Sequence, residues 1–157
     1  MNATGAREAL FRDSAFTLLD LITGLAICGA LAAIAVPNWA SQLPTYRLNS
    51  AARQLQSELH RVKSQAVARS AHLRVVFVVP SAYRIERKEG AAYRSTGEQK
   101  ALPEGITFGD GNVRPIGFAP RGTADSATIT LCNDKREGKN IIVSGSTGRV
   151  RVTGVTC

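Results

Sequence analysis

Between Phe16 and Val36 the chain carries one ionisable side chain, Asp20, and its only hydroxyls are those of Thr17 and Thr23. About 20 apolar residues in an α-helix span the ~30 Å hydrocarbon core of a bilayer. A membrane-spanning helix is therefore the first expectation, since a core helix of a soluble domain ordinarily keeps a polar face and this stretch has none. Pro37 closes the apolar run, Trp39 suits the membrane–water interface, and Pro44 is expected to break the helix a second time. A carboxylate near the end of such a span is costly unless paired. Asp20 either snorkels to the headgroups or meets a cation brought by another chain.

The remaining residues of a 157-residue chain suffice for one small domain. From Tyr46 to about Ala71, Leu48, Ala52, Leu55, Leu59, Val62 and Ala66 recur at steps of four and three, one apolar helical stripe. After His72 the period changes to two. Strands are expected at Leu73–Val79, Ala82–Glu86, Gly105–Phe108, Pro115–Ala119, Ala127–Cys132, Asn140–Ser144 and Gly148–Thr153, with a short one at Ala92-Tyr93 inside a polar loop. Turns fall at Gly109–Asn112, Arg121-Gly122, Asn133-Asp134 and Gly145. A long N-terminal helix packed on a small antiparallel sheet is an α+β fold.

Charge is unevenly spread. Residues 45–157 carry 18 basic and nine acidic residues, a net charge of +9, and 13 of the basic residues are Arg. Guanidinium forks suit phosphate, so a polyanionic partner is one reading and a solubilising surface is the other. Cys28 lies in the apolar span, where a thiol acts as a small hydrophobe. Cys132 and Cys157 lie in the domain beyond it and, in an oxidising compartment, read as a disulfide. Two Cys without CxxC spacing or a nearby His supply too few ligands for a metal, and no cofactor is expected. There is no GxSxG, HExxH, Walker or dinucleotide motif, and His60 and His72 stand alone, so no enzyme is expected.

Ala15-Phe16-Thr17-Leu18-Leu19-Asp20, followed by the apolar run and Pro37, resembles the N-terminus of type IV pilins and pseudopilins. That family usually has Gly before the cleavage point and Glu at the fifth mature position. Here Ala15 is the smallest replacement, and Asp20 keeps the negative charge on a shorter stem. The resemblance implies a pilin fold and three segments: a leader, 1–15; a transmembrane and assembly helix, 16–44; and a periplasmic or extracellular domain, 45–157. It also implies removal of the leader by prepilin peptidase after Ala15, N-methylation of Phe16, and an inner-membrane stage before assembly into a filament with other pilins. The new amine of Phe16 would pair with Asp20 of a neighbouring subunit.

Later segments resemble the GspH/FimT branch of that family. They are Leu102–Phe108, Phe118-Ala119-Pro120-Arg121-Gly122-Thr123, Ile129–Cys132 and Ser146–Arg151. In FimT-like proteins of transformable bacteria a GRxR motif near the C-terminus is implicated in DNA capture. The resemblance carries that role to Arg149 and Arg151, with Gly148 in support. On a strand the two arginines share a face, about 6.8 Å apart, and can grip double-stranded DNA through its phosphates without reading sequence. Lys135, Arg136 and Lys139 are candidates to extend that patch. The alternative is a FimU-like or GspH-like priming subunit of a pilus or type II secretion pseudopilus. In it the arginines protect a strand edge and aid solubility.

Overall fold

The computed structural model describes residues 17–109 and 113–157, with the backbone alone at 34–40. The expected leader, Met1–Ala15, together with Phe16 and the Asp110–Asn112 part of one expected turn, lies outside the described residues. The chain divides into two compact units, Met1–Ala40 and Ser41–Cys157.

In the first unit the helix α1 (Leu18–Ala68) begins with a reciprocal cap. The Thr17 hydroxyl and N–H donate to the Asp20 carboxylate at 2.8 and 3.2 Å, and the Asp20 N–H donates back to the Thr17 hydroxyl at 3.2 Å. This is the capping-box arrangement, in which side chains satisfy the first orphan N–H groups of a helix. Leu18, Leu19, Leu21, Ile22, Leu25, Ile27 and Leu31 are all exposed. Among the described residues no helix is long and apolar enough to cross a membrane. The described side chains of the apolar run stop at Ala33, and the rest of the expected Phe16–Val36 span lies outside them.

In the second unit α1 continues through Pro44, where a break was expected. A proline forfeits one helical hydrogen bond, and here side chains from the domain hold the surrounding turn. The Lys135 ammonium donates to the Ser41 carbonyl, the Thr45 hydroxyl donates to Glu137 at 2.7 Å, and Arg47 faces the Glu104 carboxylate at 3.7 Å. The apolar stripe is buried as expected, with Ala51 added to it. The helix ends at Ala68, short of the expected Ala71. Ser70 turns left-handed (φ 48°), and the N–H groups of Ala71 and Ser70 close on the carbonyls of Ala66 and Val67, a Schellman end.

Among the described residues nine strands follow: β1 (Leu73–Val78), β2 (Ala82–Glu89), β3 (Ala92–Ser95), β4 (Lys100–Ala101), β5 (Ile106–Phe108), β6 (Ile116–Phe118), β7 (Ala127–Asn133), β8 (Glu137–Val143) and β9 (Val150–Thr156). They form two antiparallel sheets rather than one. The first has the order β3-β2-β1-β6 with β4 also on β2, and the second has the order β5-β7-β8-β9. Alternate residues of both sheets enter one core with the helix stripe. Leu73, Val75, Phe77, Ile116 and Phe118 come from the first sheet, and Ile129, Leu131, Ile141, Val143 and Val150 from the second.

Candidate functional site

The sequence-derived motif lies at the start of β9, the edge strand of the second sheet. Val150 is 5% exposed and faces the core, opposite Val143. Side chains alternate along a strand, so Arg149 and Arg151 on either side of Val150 face solvent, and both are exposed. Arg151 lies opposite Ile142, which lies opposite Thr128; the next row on that face is Thr153, Asn140 and Thr130. No carboxylate stands in either row. Neither arginine has an ion pair or a side-chain hydrogen bond among the described residues.

Gly148 has a structural reason to be glycine. Its φ is +58°, and a Cβ there would lie 2.6 Å from the Gly122 carbonyl oxygen. An L side chain pays in strain at that angle and has no room besides. The Lys63 ammonium, reaching from α1, donates to the Thr147 carbonyl at 2.6 Å and fixes the same turn. Two further bonds tie this turn to the preceding loop: Ala124 N–H to the Gly145 carbonyl at 2.9 Å, and Gly145 N–H to Ser126 Oγ at 3.0 Å.

The expected extension of the patch is not brought to these arginines. Lys135 and Arg136 sit in the β7–β8 turn, at the far end of β8 from the residues paired with Val150 and Arg151. That end is separated by seven residues of strand, roughly 20 Å. The Asn133 side chain builds the turn, accepting from the N–H groups of Lys135 and Glu137 at 3.0 and 2.9 Å and donating to the Glu137 carboxylate at 2.8 Å. Lys135 is engaged with Ser41, and Lys139 pairs with Gly154 on the core-side parity of the sheet. The Glu137 carboxyl is held below the usual carboxylate range, first by the Thr45 and Asn133 hydrogen bonds and then by the charges of Lys135 and Lys139.

The family model for the type II transport protein GspH matches residues 51–148. This chain belongs to the GspH family. The match stops at Gly148, so Arg149 and Arg151 lie just beyond it. The GspH-family domain resembles the minor pseudopilin EpsH of the type 2 secretion system of Vibrio cholerae, with a TM-score of 0.57 and 14% identity over 69% of this chain and 97% of that one. It also resembles the type IV minor pilin FimU of Pseudomonas aeruginosa, with a TM-score of 0.58 and 17% identity over 69% of this chain and 90% of that one. At those identities the likeness is one of fold. No curated protein sequence matches the chain significantly. The family is thus that of GspH, and the fold is the one that a minor pseudopilin and a minor pilin share.

Other expected sites of this GspH-family chain fall as follows. Cys132 and Cys157 are bonded to each other, their Cα atoms 6.1 Å apart, and the bridge passes over Gly138, where a Cβ would lie 2.5 Å from Cys157 Sγ. Asp20 caps its own helix through Thr17, a use that the Thr-x-x-Asp spacing already signals. Ala15 and Phe16 lie outside the described residues. No group of three or more His, Cys, Asp or Glu placed to hold a metal occurs among the described residues.

Proposed function

We propose that this protein is a minor pilin that enters a type IV pilus through its N-terminal helix and holds double-stranded DNA on its exposed arginines, aiding DNA uptake in natural transformation. It is a binding and assembly subunit and not an enzyme. Before assembly it is a single-pass protein of the inner membrane, cut by prepilin peptidase after Ala15 and N-methylated on Phe16, and afterwards part of a filament in the periplasm and at the cell surface. Asp20 then meets the Phe16 amine of a neighbouring pilin, trading its cap for an intersubunit pair. The observation that carries the DNA reading is the pair Arg149 and Arg151, exposed on both sides of buried Val150 and without a carboxylate partner among the described residues.

A second reading is a GspH-like or FimU-like priming subunit without DNA binding. Two observations favour it: the family match ends before the arginines, and packing against Gly122 already accounts for Gly148. The test is titration of duplex DNA with the full-length, oxidised chain in a neutral detergent. Binding in the range of about 10⁻⁵ to 10⁻⁶ M, weakening steeply with salt and lost in Arg149→Ala/Arg151→Ala, is the expected outcome. Binding unchanged by the double substitution, or absent at low salt, leaves the priming reading in place.

A further inference from the structure

A third arginine stands beside the pair, on a different segment of chain. Phe118 and Ala124 form a β-bridge, and between them the chain makes a tight hairpin. The Ala119 carbonyl accepts from the Gly122 N–H at 2.9 Å, and the Ala119 N–H donates to the Thr123 carbonyl at 2.9 Å. Pro120 sits where its fixed φ favours the turn, and Gly122 takes the left-handed conformation (φ +84°) that closes it. Arg121 is left at the tip. It is exposed and has no ion pair or hydrogen-bonded partner among the described residues.

This hairpin and the β8–β9 turn are locked together by the contacts already described: Gly122 carbonyl against Gly148, Ala124 bonded to Gly145, and Gly145 bonded to Ser126. Lys63 packs its stem against both glycines and holds the Thr147 carbonyl. One backbone step on either side of the Gly122–Gly148 contact leads to Arg121 and Arg149, whose Cα atoms therefore lie within about 14 Å of each other. Resting on the DNA-binding reading, we propose that Arg121 is a third phosphate-binding group of the same site. The ligand is the phosphate backbone of a duplex, gripped by guanidiniums from two interlocked turns, and Lys135 and Arg136 at the far end of the sheet take no part.

Three cations on a shared, cross-braced base favour a run of phosphates over an isolated one. Each contact should release counterions and add about 0.9 to the log–log salt slope of duplex binding. The experiment is the same titration of the full-length, oxidised chain in neutral detergent, over a salt series, with four variants and a thermal melt of each. Arg121→Ala is expected to weaken binding about three- to tenfold and lower the slope by about 0.9, with an unchanged melt. Arg121→Lys should regain most of the slope. Lys135→Ala/Arg136→Ala should leave the slope where it was. Wild-type binding by Arg121→Ala, beside a loss in Arg149→Ala/Arg151→Ala, overturns the third contact and leaves the DNA reading standing. Equal losses from the near and far pairs overturn it as well, because the attraction is then diffuse charge. Absence of salt-sensitive binding by the unsubstituted chain overturns both readings at once.

Discussion

The outer faces of the two sheets use the same residue type for opposite ends. On the first sheet, Arg74 and Arg84 converge on Glu86 at 2.6 and 2.8 Å, and Arg74 lies 3.8 Å over the Tyr93 ring. On the second, the face around Arg151 offers threonine, asparagine and isoleucine. Two carboxylates beside that sheet are taken by neutral donors: Asp125 accepts from the Gly117 N–H at 2.8 Å, and Glu137 from Thr45 and Asn133. A guanidinium locked to a carboxylate presents little field to an outside anion, whereas an unpaired exposed one presents its full charge. The net charge of the domain is thus a poor guide to what it can bind, and the positions of the acids decide.

The contrast breaks most severely by stripping the first face. Arg74→Ala/Arg84→Ala leaves Glu86, whose side chain is 7% exposed, without either partner. An uncompensated buried charge costs about 3–5 kcal/mol, to be read as a lowered denaturant midpoint at neutral pH. The pH dependence sharpens the point. Burial pushes the Glu86 carboxyl up, but the hydrogen bonds and charges of Arg84 and Arg74 outweigh it and hold the group below the usual range. A carboxyl with a depressed folded pKa contributes stability that is full above its unfolded value, about 4.3, and is lost as pH falls through the depressed one. The gap between wild type and the double variant should therefore narrow in acid.

On the second face the comparable brace is covalent. Cys132→Ser/Cys157→Ser opens a link spanning 25 residues and should cost about 3.5 kcal/mol in the chain-entropy model. A thermal melt of the oxidised chain against the double variant reads this loss, and the end of β9 should be first to exchange its amide protons. This brace was legible in the sequence because only two cysteines lie beyond the apolar run. The helix stripe and most strands were legible as well, since burial imposes periods of 3.6 and 2 on the residues that face a core. Strand β4, Lys100–Ala101, was not, because two residues carry no period. Nor was the division into two sheets, because which strands pair is settled by distant segments. The alternation around Val150 made the exposure of Arg149 and Arg151 readable. Their lack of partners was not, since it depends on where Asp125 and Glu137 go in three dimensions, and the same holds for Arg121.

Gly148→Ala tests whether the free arginines depend on the turn that carries them. The substitution meets both a left-handed φ and a carbonyl oxygen at 2.6 Å, so about 1–3 kcal/mol of stability should go, visible as a lower melting temperature. Gly154→Ala, on the edge strand that follows this turn and with nothing within 4 Å of its Cβ, should change stability by no more than about 0.5 kcal/mol. If the two variants melt alike, the interlock of the Gly122 and Gly148 turns is not rigid, and the geometry assigned to the arginines loses its support.

The smallest expected effect on stability is the most informative. Arg149→Ala/Arg151→Ala removes two exposed side chains that contact no carboxylate, so the melt should shift by no more than the equivalent of about 0.5 kcal/mol. A fall of several kcal/mol, like that expected on the first sheet, would mean that these arginines hold the fold as Arg74 and Arg84 do. An unchanged melt means that the fold makes no use of them. Two exposed arginines beside a buried valine, in rows without a carboxylate, then leave their charge open to an outside anion. The duplex titration asks whether that something is phosphate.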